Sequence, residues 1–260
     1  MTVLQAAILA LFCYLGALTT PWVLGTTGGW YVITRPLVAG LISGLVLGDV
    51  KLGVLTGIAV QAVYIGLITP GGTVPADLSF VSYLGIPLAM VAGLQPDQAV
   101  GISVAFGVVG VAAWQLLSVG NAFWPHLADD YADEGDLEGI IRVNYLAQIG
   151  TFLLRGVLPF FVLFLGSGVA QNMATILQEQ VPWFTDFLGL LGGALPAVGI
   201  AILILQIAPA FRQIVWFLLG WSLVAYFGLS PVAIAVFGGI LAFIYYLFLY
   251  EREEQEAAEV

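Results

Sequence analysis

Between residues 35 and 77 an otherwise apolar stretch carries Arg35, Asp49, Lys51, Gln61 and Asp77, with glycine recurring throughout. Polar and ionisable groups at membrane depth are expensive, so a chain that keeps them has a use for them on a path for something polar. A carboxylate such as Asp77 accepts hydrogen bonds from hydroxyls, and an amide such as Gln61 both donates and accepts. Together they suit a neutral polyol. Gly71 and Gly72, just before Asp77, allow backbone to approach a ligand closely. The candidate substrate-binding set is therefore Gln61, Gly72 and Asp77.

Each of these residues also has a plainer reading. Asp77 follows a proline-glycine break and precedes an apolar run, so its carboxylate can simply cap a helix, worth ~1 kcal/mol. Gln61 can bridge two helices. Asp49 and Lys51 share a short turn and read as a solvated or locally paired corner. Arg35 before Pro36 reads as an anchor that reaches the headgroups. Trp22, Trp30, Tyr31, Trp124 and Trp183 sit near expected span ends, where aromatic belts form; Trp30 and Tyr31 stacking on a sugar face is the other reading.

The elements that must position these groups are apolar helices. Of the 260 residues, 61% are hydrophobic and 8% charged, and mean hydropathy is +1.05. Soluble domains carry about 25% charged residues, so this is an all-α polytopic membrane protein with room for roughly seven to nine crossings. The first apolar segment, 4–24, lacks a basic leader and is expected to be retained. Segments 36–47 and 52–68 are short and joined by a polar turn, the pattern of a re-entrant hairpin. Helix cannot continue through 69–77, with Pro70, Gly71, Gly72 and Pro75. Further apolar segments are expected at 78–93, 99–123, 149–165, 184–207, 214–227 and 232–250. The stretch 124–148 reads as the one sizeable polar loop, with a short interfacial helix. Arg35-x-Leu-Val and Arg212-x-Ile-Val each open a short split pair. An internal structural repeat is one explanation of that echo, and chance in glycine-rich apolar sequence is the other.

Charge and composition exclude several classes. The net charge of −10 is concentrated in 129–138 and in the tail, which argues against nucleic acid and anionic lipid surfaces as partners. Cys13 and His126 are each the sole residue of their kind, so neither a disulfide framework nor a histidine metal site is expected. No phosphate-cradling Walker loop and no nucleophile motif occur, so energy must come from an ion gradient or from another protein. Arg142 and Arg155 after the acidic stretch put 124–148 on the cytoplasmic side by the positive-inside rule.

Three motifs carry a family resemblance: RPLVAGLISGLVLGDVKLGVLTG from Arg35, then Pro75-Ala76-Asp77, then His126-Leu-Ala-Asp129-Asp-Tyr-Ala-Asp133-Glu-Gly135-Asp136-Leu137. Jointly they resemble the enzyme IIC subunit of mannose-family sugar phosphotransferase systems, over nearly the whole chain. The resemblance implies a IIC fold with re-entrant hairpins, with a mobile motif region at 1–95, a core at 96–250 including the 124–148 loop, and an acidic tail at 251–260. It implies group translocation of a hexose-class sugar across a bacterial cytoplasmic membrane. The expected partners are a IID membrane subunit, in a higher IIC/IID oligomer, and the IIA and IIB (or IIAB) phosphoryl carriers. The phosphoryl donor would be a histidine of IIB; this chain would carry no catalytic residue, cofactor or metal, and His126 only a loop-end hydrogen bond. Asp77 matches a family acid near the sugar. Gln61 falls where mannose members carry glutamate, and Val32 where they carry glutamine, two changes that argue against mannose itself and leave sorbose, fructose, galactosamine derivatives or another hexose open. From the residues alone, an ion-coupled secondary transporter using Asp77 and Asp49 remains the alternative, with a membrane scaffold as a third reading.

Overall fold

The computed structural model describes residues 1–20, 23–67, 74–180, 182–208 and 213–258. Every regular element among them is helical. Two compact units are present, Met1–Ala201 and Ile202–Val260.

In the first unit, α1 (Val3–Gly16) opens with a capping box: Thr2 accepts from the Gln5 amide and Gln5 returns a bond to the Thr2 amide. A π-helical segment, π1 (Thr26–Ile33), leads into α2 (Pro36–Leu47), and the two are bent by 78°. The bend falls where proline demands it. Arg35 is extended, as a residue before proline prefers, and Pro36 takes the first helical position, where its missing N–H costs nothing.

The α2 helix ends on Gly48, at φ 88°, and Asp49 caps α3 (Val50–Val63) by accepting the Leu52 amide at 2.9 Å. Helices of 12 and 14 residues span only ~18 and ~21 Å, short of the ~30 Å hydrocarbon core. This is the expected pair of short helices joined by a tight polar turn. Asp49 and Lys51 lie exposed at its tip, in the structural role read for them. Close approach of its arms depends on glycine: a Cβ on Gly57 would sit 2.6 Å from the Pro36 carbonyl oxygen, and one on Gly53 would sit 2.7 Å from Gly44 Cα.

After the break comes the best-buried segment of the chain: α4 (Leu78–Phe80), π2 (Val81–Gly85) and α5 (Ile86–Val91). Every residue from Asp77 to Met90 is buried, as expected of a helix with no polar face. One side joins a core with Leu9, Cys13, Ala39 and Leu163; the other joins Trp30, Val60, Tyr64 and Val100. Trp30 is thus a core residue, not part of an interfacial belt.

Next are α6 (Pro96–Asn121), α7 (Phe123–Asp133), α8 (Leu137–Phe152), π3 (Leu153–Val157), α9 (Leu158–Gln180) and α10 (Pro182–Ile207). The 124–148 stretch is helical on both sides of a turn, in α7 and the first part of α8, which is more helix than the one short helix expected within a loop. Its acids line the exposed side of α7, Gly135 reverses the chain at φ 71°, and Asp136 caps α8 through the Gly139 amide at 3.0 Å. Among the described residues three helical stretches, 96–133, 137–169 and 186–207, are long and apolar enough to cross a membrane, or four spans if the bent π1–α2 pair counts as one. Glycine, proline and the residues around them keep the apolar helices Val3–Gly16, Val50–Val63 and Ile214–Phe227 to 14 residues each, below a straight crossing.

In the second unit, α11 (Ile214–Phe227) ends on left-handed Gly228, and α12 (Pro231–Ala258) begins with proline. The α2–α3 and α11–α12 pairs thus each turn on a left-handed glycine, after helices of 12 and 14 residues. Arg212, the other half of the sequence echo, lies outside the described residues.

The π segments are stapled together. Ser82 Oγ donates to the Thr34 carbonyl at 2.6 Å and Tyr83 Oη to the Ile33 carbonyl at 2.7 Å, so π2 hangs on the end of π1. Tyr83→Phe is expected to lower stability by about 1 kcal/mol, read as a fall of a few degrees in the melting temperature of the detergent-solubilised protein. An unchanged melting curve would mean that this staple contributes nothing.

Candidate functional site

Asp77 is the N-cap of α4, held extended at φ −86° and ψ 100° after the glycine-proline break. Its Oδ1 accepts the Ser79 amide at 3.0 Å, the Phe80 amide at 3.2 Å and the Ser79 hydroxyl. Its Oδ2 accepts from Arg155 Nη1, in an ion pair whose two side chains are each 2% exposed. The same nitrogen donates to Ser79 Oγ at 3.1 Å. Below the guanidinium lies the Phe80 ring, 5.1 Å from Cζ to centroid, a cation–π arrangement. Cys13 Sγ closes the group with a bond to the Ser79 carbonyl at 3.6 Å.

Neighbouring glycines make room for this knot. The Asp77 amide donates to the Gly107 carbonyl at 3.3 Å, and a Cβ on Gly110 would meet Phe80 Cβ at 2.9 Å. Arg155 sits in the middle of π3, and the helix after Asp77 widens into π2 within one turn. Such π segments are uncommon and frequent at functional sites. A buried ion pair recovers its desolvation cost only with good geometry and satisfied lone pairs. Here Oδ1 accepts three donors and Oδ2 the guanidinium, and both side chains are covered, so a further donor reaches Asp77 only if the packing around the pair opens.

The other expected site residues fall apart from this knot. Gln61 lies mid-α3, half-buried, with Oε1 buried and without a hydrogen-bond partner. No hydrogen bond joins it to Asp77. Its surroundings nonetheless converge on the same helix: a Cβ on Gly107 would lie 3.2 Å from Tyr64 Oη and 3.8 Å from Ala76 Cβ. Gly72 lies outside the described residues. Val32 is exposed on π1, and His126 is exposed on α7 without a side-chain hydrogen bond.

Arg155 is the residue that sequence reasoning missed. It entered only as a basic flank for orientation, yet a residue 1% exposed and paired with Asp77 marks no membrane face. A signal was present: a lone arginine inside the apolar run 149–165 is itself an intramembrane charge needing a partner. Arg142 is left as the basic residue beside the acidic stretch, exposed and 3.4 Å from Glu138.

Comparison with known proteins gives this architecture relatives. The sequence profile described as PTS system sorbose-specific IIC component matches residues 3–244. The mannose-specific EIIC component of Escherichia coli K12 is 29% identical over 217 residues, 81% of this chain and 78% of that protein. The sorbose-specific EIIC component of Klebsiella pneumoniae gives the same figures, 29%, 81% and 78%. The fructose permease IIC component of Bacillus subtilis is 29% identical, covering 81% of this chain and 77% of its own. Among solved structures, one described as a membrane protein aligns with a TM-score of 0.78 at 22% identity, covering 95% and 96% of the two chains. A chain of the mannose transporter ManYZ in complex with microcin E492 aligns at 0.56, also with 22% identity and the same coverage.

Proposed function

The chain belongs to the family of sorbose-specific IIC components of the sugar phosphotransferase system, and on that premise we propose that the region around Gln61, Gly72 and Asp77 takes a hexose-class sugar. The protein is a membrane sugar-translocating subunit of such a system, working with other components of it. We further propose a IID membrane subunit as its partner in a higher IIC/IID oligomer, and a histidine of IIB, charged by IIA, as the phosphoryl donor. Residues 1–95 move against 96–250 in this reading, and the acidic helix–turn–helix at 124–148 faces the cytoplasm of a bacterial cell. Support for that side rests on Arg142 alone.

The observation that carries the site is the position of Asp77: a buried carboxylate at a broken helix, beyond a glycine-proline segment. The Gln61 amide, with its buried Oε1 unpaired, supplies a neutral group for hydroxyls. A panel of mannose, fructose, sorbose and N-acetylgalactosamine, tested for phosphoenolpyruvate-dependent phosphorylation with the cognate partners, checks the reading. Accumulation of unphosphorylated sugar driven by a proton gradient alone would sink it and promote ion coupling.

Residue tests must respect the ion pair. Asp77→Asn strips Arg155 of its counter-charge, so lost uptake could mean lost assembly. The informative variant is Asp77→Asn with Arg155→Met, with uptake normalised to assembled complex. Gln61→Ala is expected to lower uptake about tenfold, the loss of one hydrogen bond of ~1.4 kcal/mol. Gln61→Glu is expected to change the order of preference among the four sugars. Unchanged uptake and preference would remove position 61 from the site.

A further inference from the structure

The stretch α8–π3 runs without a break from Leu137 to Val157. On it, Gln148, Thr151 and Arg155 follow one another at spacings of three and four residues, which is one face of a helix. All three carry a buried polar atom with no partner in the protein: Gln148 Oε1, Thr151 Oγ1 and Arg155 Nε. Thr151 is 0% exposed.

What sets these three apart is that they share one face of one helix: single buried hydroxyls without a partner also occur at Ser43, Thr56 and Ser103, each on a different helix. A hydroxyl inside a helix ordinarily returns its hydrogen to a carbonyl three or four residues back. Ser118 does so to Trp114 at 2.9 Å, Ser222 to Leu218 at 2.7 Å and Ser167 to Phe164 at 2.9 Å. Thr151 does not, although the Ala147 carbonyl is four residues back. A buried polar group left unpaired is costly, and an apolar residue of the same shape would avoid that cost.

We propose that Gln148, Thr151 and Arg155 form a binding surface for sugar hydroxyls, leading along α8 to the Asp77–Arg155 knot. This deepens the translocation reading and rests on it. The chemistry favours a neutral ligand: Asp77 already balances the arginine charge, and the remaining groups are an amide oxygen, a hydroxyl and one N–H, a mixture of acceptors and donors. About two turns separate the end residues, ~10 Å of helix, which suits one small polyhydroxylated molecule rather than a chain. Because Thr151 is fully covered here, the surface is engaged only after α8 and its neighbours part.

The test uses the assembled complex and whichever of mannose, fructose, sorbose and N-acetylgalactosamine it phosphorylates best, together with monodeoxy analogues of that sugar. Thr151→Val removes the hydroxyl and keeps the shape; Thr151→Ser keeps the hydroxyl. Thr151→Val is expected to raise the apparent KM about tenfold, and Thr151→Ser to leave it within about twofold. One monodeoxy analogue should be as poor a substrate for Thr151→Val as for the native protein, because the partner of its missing hydroxyl is already gone. Gln148→Leu should single out a different analogue. The proposal is overturned if KM per assembled complex is unchanged in Thr151→Val, or if all analogues are affected alike, as a structural role would do. It is also overturned if Thr151→Val only reduces co-purification of the partner membrane subunit, which would assign the stripe to a protein interface. Phosphorylation of none of the four sugars would instead overturn the translocation reading itself.

Discussion

Arg155→Met is expected to remove most of the protein from the membrane fraction, and adding Asp77→Asn to restore a large part of it. The single change leaves the Asp77 carboxylate buried with only the Ser79 and Phe80 donors on its other oxygen. Breaking a buried pair in this way costs about 3–5 kcal/mol, a large share of the roughly 5–15 kcal/mol that keeps a domain folded. The second change removes the charge while an asparagine oxygen still accepts the two amides that start α4. Methionine roughly fills the space of the guanidinium stem and keeps contact with the Phe80 ring. Quantified membrane levels and melting curves of the solubilised complex check both variants. A single variant as abundant and as stable as the native chain would show that the pair is dispensable for folding. A double variant no better than the single would move the loss from charge to packing.

The same pair marks the boundary of what local sequence can say. The α2–α3 hairpin was legible because its signals are local: Pro36 starts a helix, Gly48 stops it, Asp49 caps the next, and both runs are too short to cross. The N-cap role of Asp77 was legible for the same reason. Its partner was not, because Arg155 lies 78 residues away in the chain, and no periodicity relates the two. The π segments were equally hidden, since π1, π2 and π3 use the same apolar residues as the α-helices around them. The acidic stretch after Trp124 was legible in part: a short helix within it is expected, but its extent is not, because acids on the outer face of α7 leave no signal that separates a long helix from a short one. Trp30 misled, its ring being spent on the core beside Val60 and Tyr64 rather than at a membrane surface.

Gly57→Leu is expected to abolish uptake and to lower the level of assembled complex, because it strikes the contact on which the α2–α3 hairpin depends. A Cβ there would lie 2.6 Å from the Pro36 carbonyl oxygen, 3.1 Å from Leu37 Cα and 3.2 Å from Gly40 Cα. All three are backbone atoms, so no side chain can swing aside and the helices themselves must separate. Overpacking typically costs about 1–3 kcal/mol where side chains can adjust; with backbone on the opposing side the cost belongs at or above the top of that range. Separation also propagates, since the hairpin is short at both ends and holds Gln61 one turn beyond Gly57 on α3. Gly57→Ala should show the same defect in part, because even one methyl group meets these atoms. Gly120→Ala is the control: nothing lies within 4 Å of a Cβ at that position, and alanine in place of a helical glycine is neutral or slightly favourable. Uptake and phosphorylation of the sugar, per unit of membrane protein, read the series. Native uptake by Gly57→Leu would mean that the two arms part readily, and the hairpin would then have to be treated as two independent helices.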